Sequence, residues 1–141
     1  MQVQIKNSYI PDIMEFLYNL SLKGKQSRHR TRFIKMLQEK WKQVGEEERE
    51  LIKEFAGVDE KGEPNRNDQG NYAVEDVEGF KHQQEELLNE NFVIDGGDHH
   101  GMLKTVKEVV LNFEEEVSGN TAVIYDYLCE AFENEEKGAE E

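Results

Sequence analysis

"SRHRTRFIKMLQEKWKQVGEEERELIKEFA", residues 27 to 56, decides the fold. Ile34, Leu37, Trp41, Val44, Leu51 and Phe55 recur at steps of three and four, close to a heptad seam, which is the spacing of one helical face. Glu48 interrupts the seam, and Gly45 costs about 1 kcal/mol against alanine in a helix interior. A kink or break at "QVGEEE" is therefore the competing reading. The apolar register continues across the glycine, so the prediction is one helix from Ser27 to Ala56, with Ser27 as its N-cap. At 1.5 Å per residue it would be ~45 Å long. Such a helix needs partners along its length, either the other helices or a second copy of the chain.

Outward from this helix, "QVQIKN" alternates, with Val3 and Ile5 on one side, and reads as a strand from Gln2 to Lys6. Ser8 is placed to cap a helix that tolerates Pro11 in its first turn, carries Ile10, Ile13, Phe16, Leu17 and Leu20 on a wide apolar face, and ends near Ser21. After the long helix, "GVDEKGEPNRNDQGNY" is dense in turn residues and fits a short hairpin or exposed loop. A helix is expected from about Asp76 to Asn89. "NFVID" is a second strand, and Asp98 is placed to cap a helix striped by Met102, Val106, Val109, Val110 and Phe113. Ser118 is placed to cap a last helix through Ile124, Leu128 and Phe132. No internal repeat stands out. The predicted fold is α+β: a mostly helical single domain over residues 1–134, with one long amphipathic helix and a small sheet of two or three strands. Residues 135–141 read as an acidic disordered tail.

The 141 residues suffice for one domain with a real core. Formal net charge is -14, unevenly placed: residues 1–74 hold 13 Lys+Arg against 12 Asp+Glu, and residues 75–141 hold 4 against 19. The C-terminal half repels nucleic acid and anionic membranes. A single cysteine, Cys129, excludes an internal disulfide and fits a reducing cytoplasm; its apolar helical setting marks it as a small buried hydrophobe. No apolar run approaches the ~18 residues of a membrane span, and the N-terminus lacks a signal-peptide pattern.

Chemistry finds little support. "DGGDHH" offers Asp95, Asp98, His99 and His100 to a metal, but adjacent residues project in different directions, and no further His or Cys stands at ligand spacing. A glycine-flexed turn with two exposed imidazoles is the plainer account. Asn65, Asn67, Gln69, Gly70 and Asp76 are mostly amides where a calcium loop wants carboxylates. There is no GxSxG, Walker loop or HExxH, and runs such as Glu46–Glu48 read as solvated helix faces. The expectation is a non-enzyme without a cofactor.

One stretch does not suit so acidic a chain. Lys23, Lys25, Arg28, Arg30, Arg32 and Lys35 follow one another without an acid between them. Cations at a helix start oppose its dipole, while the free N–H groups there suit an anion, and arginine forks recognise phosphate or carboxylate bidentately. Arg28, Arg32 and Lys35 share a helical face, and Arg30 points elsewhere. Three roles are open for the cluster: docking on the chain's own acidic half, binding an external anion or acidic partner, or plain solvation.

The segment "LKGKQSRHRTRF", Leu22 to Phe33, also carries a resemblance. With Ile5 and Asn7, the turn from Asp59 to Pro64, "MLKTVK" from Met102 to Lys107, and Tyr125 to Glu130, it resembles a family of small proteins of unknown function encoded by phages and prophages of Gram-positive bacteria. The likeness covers almost the whole chain, and the serine–arginine segment is its most specific part. It implies phage origin and action in the host cytoplasm, and no activity. Two functional expectations follow. One is a non-enzymatic phage accessory protein that binds a host protein or complex, such as a defence or nucleic-acid-handling factor, through charged helical surfaces. The other is a binder of a phosphate-rich ligand, nucleic acid or signalling nucleotide, through Lys23, Lys25, Ser27, Arg28, Arg30, Arg32 and Lys35. Tight binding to bulk duplex DNA is not expected, since only six cations cluster against an acidic half-chain. Nor is a membrane, and a homodimer remains a way to cover the long seam.

Overall fold

The chain is described by a computed structural model over residues 1–134; the tail expected at 135–141 lies outside the described residues. The fold is α+β and mostly helical. In order the elements are β1 (Gln2–Lys6), a 3-10 turn (Asn7–Tyr9), α1 (Ile10–Tyr18), α2 (Gly24–Ala56), α3 (Val77–Asn89), β2 (Asn91–Asp95), a second 3-10 turn (Gly97–His99), α4 (His100–Leu111) and α5 (Gly119–Glu133). The two strands pair antiparallel, with Val3 opposite Ile94 and Ile5 opposite Phe92.

The long helix is continuous across Gly45 and runs for 33 residues, ~50 Å. Its seam is not bare: Leu37 and Val44 are buried, and Trp41, Leu51 and Phe55 are half-buried. Two compact units divide the chain. Met1–Trp41, with the described residues from Asn91 on, forms the first, and Lys42–Glu90 forms the second.

The first unit contains the main core. Val3, Ile5 and Ile94 point inward from the sheet, as strand alternation requires. Ile13 and Leu17 of α1, Phe33 and Leu37 of α2, Leu103 and Val106 of α4, and Leu128 and Phe132 of α5 join them. Fully burying each side chain is worth about 1.5–3 kcal/mol. Phe16, Phe113 and Tyr125 form an aromatic cluster, and Tyr9 stacks on Tyr127 with ring centroids 3.8 Å apart.

In the second unit Phe55 and Phe80 meet edge to face, and Arg49 pairs with Glu63. The segment between α2 and α3 builds the same turn twice, eight residues apart, without a repeat in its sequence. Asp59 Oδ1 accepts from the N–H groups of Lys61 and Glu63, and Asn67 Oδ1 accepts from those of Gln69 and Asn71. Gly62 and Gly70 follow at φ +79° and +82°, where a side chain is strained. Asn65 N–H donates to the Gly57 carbonyl and Ala73 N–H to the Asn65 carbonyl, both at 2.9 Å, so one turn stacks on the next. The bridges Val58↔Pro64 and Arg66↔Tyr72 close the two turns. In "NYAV" strand pairing is confined to Tyr72, in the second bridge.

Several helix starts differ from expectation. α2 begins at Gly24, whose φ of +59° lets the chain turn into the helix three residues before Ser27; the serine is inside the first turn and is not the cap. Ser8 lies inside the first 3-10 turn, and Tyr9 takes the cap position of α1 without a side-chain bond. Asp98 likewise falls inside a 3-10 turn, leaving His99 at the cap position of α4. Asp76 does cap α3, accepting from Gly79 N–H at 3.0 Å. Ser118 occupies the cap position of α5 without a side-chain bond.

Candidate functional site: the head of α2

The first three turns of α2 sort their residues by face. Lys25, Arg28, Arg32 and Lys35 recur at steps of three and four and form one exposed stripe. His29, Phe33 and Leu37 are buried on the inner face. Arg30 is half-buried, and Lys23 is exposed in the segment leading into the helix. Because the helix starts at Gly24, only Lys25 lies in the first turn, where no acid offsets it. Arg28 and Arg32 fall beyond the reach of the dipole's N-terminal end. The expected conflict between these arginines and the helix start therefore does not arise.

Arg30 has a structural job. Its guanidinium Nη1 donates to the carbonyls of Leu17 and Leu20, both at 2.7 Å. These carbonyls belong to the last turn and exit of α1, where helical partners run out and a cation suits the dipole. α1 has no basic residue in its own last turn, so α2 supplies the charge. The basic cluster is thus not a single set: Arg30 serves the fold, and the stripe faces outward.

His29 lies between the two roles. Its Nδ1 is 2.9 Å from Thr105 Oγ1, and that hydroxyl donates to the Gly101 carbonyl at 3.0 Å. The hydroxyl's one hydrogen is spent on Gly101, so Thr105 accepts and His29 Nδ1 carries the proton. Burial lowers the His29 pKa below 6.5; the charges of Arg32, Lys25 and Arg28 push the same way, and a hydrogen bond to the Gly101 backbone acts against them. Three cations of the outer region are thus within electrostatic reach of one imidazole.

Among the described residues, Lys23, Lys25, Arg28, Arg32 and Lys35 make no ion pair with a carboxylate. Among the described residues the acidic half forms no ion pair with the stripe. Some of its carboxylates instead rim a groove of about 390 Å³ between α1, α5 and the loop before α5. Asp12, Glu15, Glu115 and Glu116 border it, and Phe16 and Phe113 lie among its apolar wall.

The candidate metal residues are not assembled. Asp95 ends β2 and accepts a hydrogen bond from Gln2 Nε2 at 2.9 Å. Asp98 and His99 lie in the second 3-10 turn and His100 opens α4, all exposed. Among the described residues no three His, Cys, Asp or Glu side chains form a group able to hold a metal. Cys129 is half-buried, and burial raises its thiol pKa, the opposite of what an activated nucleophile requires. Tyr125, beside it, shares its one hydroxyl hydrogen between the Val110 and Phe113 carbonyls, at 3.0 and 3.3 Å, and burial pushes its pKa up to about 12. It finishes α4 as Arg30 finishes α1.

Sequence reasoning missed Thr105, Tyr125 and the groove. Thr105 had one legible signal: it stands on the apolar stripe of α4 beside Val106, where an unpaired hydroxyl is costly. No helix among the described residues is long and apolar enough to cross a membrane. No family model, curated protein or solved structure matches this chain.

Proposed function

We propose that this chain is a non-enzymatic phage accessory protein, acting in the cytoplasm of an infected bacterium, that binds a host protein or complex through charged helical surfaces. The binding surface is the outer stripe of α2: Lys25, Arg28, Arg32 and Lys35, with Lys23 beside them. The observation that carries this reading is that these exposed cations have no carboxylate partner among the described residues, while the neighbouring Arg30 is held by two backbone carbonyls. Unpaired cations on a rigid helix are a ready surface for an acidic partner, and arginine is the residue type that gains most from a bidentate anion. The phage setting rests on the resemblance at Leu22 to Phe33.

A second reading is favoured by the recurrence of Lys25, Arg28, Arg32 and Lys35 along one exposed helical face. That concentration of charge also suits a phosphate-bearing ligand such as a nucleotide. Capture from host lysate, run beside a nucleotide-binding screen, separates the two. Under the first reading, Arg28→Ala/Arg32→Ala weakens capture of the partner by about 1–3 kcal/mol for each bidentate arginine–carboxylate pair it removes, and the fold persists. Under the second, the same variant no longer binds the nucleotide. Retention of both sinks the assignment of this face. Bulk duplex DNA is not the target, and a salt-sensitive gel shift at ~0.15 M salt would contradict that.

A further inference from the structure

The two edges of the small sheet differ. Lys6 N–H donates to Tyr127 Oη of α5 at 2.8 Å, so it points away from β2. Pairs in an antiparallel ladder alternate. Lys6↔Asn91, Gln4↔Val93 and Gln2↔Asp95 are therefore the pairs without mutual backbone bonds, and Val3↔Ile94 and Ile5↔Phe92 carry the ladder. The N–H and C=O groups of Asn91, Val93 and Asp95 face the other way, outward from β2. With the ladder carried by the other two pairs, these groups take no bond from β1, the one strand paired with β2 among the described residues. Val93 is also 43% exposed, an apolar β-branched side chain at the centre of an open edge.

We infer that this edge pairs with β2 of a second copy of the chain, antiparallel and centred on Val93, giving a four-stranded sheet in the order β1–β2–β2–β1 across a two-fold axis. The strand "NFVID" complements itself in that register. Val93 faces Val93 of the second copy, and each Asn91 faces an Asp95, an amide donor opposite a carboxylate acceptor. Phe92 faces Ile94 on the inner side, extending the apolar layer. One step further out, Glu90 faces Gly96, which brings no second charge. All the open N–H and C=O groups of Asn91, Val93 and Asp95 are satisfied together. Centring on Asp95 would put like charges directly opposite, which destabilises a pair.

The polar side of the sheet supports the same register. Asn91 Nδ2 donates to Gln4 Oε1 and Gln4 Nε2 to Gln2 Oε1, each at 3.3 Å; Gln2 Nε2 donates to Asp95 Oδ1 at 2.9 Å. This chain of amides starts on a donor, Asn91, and ends on an acceptor, Asp95. In the dimer each end meets the opposite end in the second copy, so the chain closes into a ring. Growth stops at two copies because α5 packs against β1 and Tyr127 takes Lys6 N–H. A five-residue strand pair buries less than the ~1,200 Å² of a standard interface, so the dimer belongs to the weak, reversible class.

Sedimentation equilibrium from ~10 µM to ~1 mM tests it, a range that spans weak association. The expected result is a mass rising from the 16.5 kDa of one chain towards twice that value. The exchange of the Val93 amide should slow over the same range. Asn91→Asp places a carboxylate opposite Asp95 at both ends, and should weaken association at least ~10-fold. Asn91→Asp/Asp95→Asn restores the complement and should recover it. Val93→Pro removes the central outward donor while leaving the β1–β2 ladder intact, and should abolish pairing. A single-chain mass at every concentration overturns the proposal and leaves the edge to a strand of another protein. A dimer indifferent to Asn91→Asp overturns it too, placing the interface elsewhere.

Discussion

Arg28 and Arg30 stand two positions apart on one helix, yet their surroundings share almost nothing. Arg30 reaches inward, and its charge completes the end of α1 through the Leu17 and Leu20 carbonyls. Arg28 is exposed and unpaired among the described residues, one member of a stripe with Lys25, Arg32 and Lys35. The difference teaches that a basic run on a helix is two populations, divided by the helical angle. The inner one is read by what it stabilises and the outer one by what it attracts.

The contrast breaks most readily on the inner face. Arg30→Ala leaves the last carbonyls of α1 without their charged donor, and should lower unfolding free energy by about 3 kcal/mol in a urea titration. Arg30→Lys should recover only part, because a point charge cannot reproduce the planar guanidinium. Thr105→Val comes next. It deprives His29 of its acceptor inside the core and should cost about 1–2 kcal/mol.

His29 adds a pH dependence of known sign. Its folded-state pKa lies below the 6.5 of the free side chain, so the unfolded chain takes up the proton first as pH falls. This contribution to stability is complete above about pH 6.5 and is lost below it. His29→Gln should therefore flatten the wild-type decline between pH ~7 and ~5, and an unchanged difference between the two profiles would remove His29 from that role. Tyr125→Phe, which removes the hydroxyl that finishes α4, should cost about 1 kcal/mol. Smallest is the outer stripe: Arg28→Ala/Arg32→Ala should change stability by less than about 0.5 kcal/mol. A large loss there would erase the distinction between the faces.

The strands, the long helix and its unbroken passage across Gly45 were legible because apolar spacing repeats over many residues. Helix starts were not. Ser27 carries the side chain of a good cap, but a left-handed glycine three residues earlier already turns the chain, and φ is invisible in the sequence. The stripe Arg28, Arg32, Lys35 was legible from helical angle alone. That Arg30 is a cap for α1 was not, because its partners are backbone carbonyls brought near by tertiary packing. The paired turns escaped notice for a chemical reason. Asp59 and Asn67 are different letters that present the same acceptor oxygen, and of the positions around them only Gly62 and Gly70 agree.

Those paired turns also bear on how the gene can change. Each eight-residue turn closes on itself through Asp59 or Asn67, and each hands the chain to the next by one backbone bond, Gly57 to Asn65 and Asn65 to Ala73. A duplication or loss of eight codons adds or removes one complete rung and keeps every donor matched to its acceptor. An insertion of one codon leaves an Asx oxygen facing the wrong amides and a left-handed site without its glycine. Length variation in this segment should therefore come in steps of eight, set by hydrogen-bond closure.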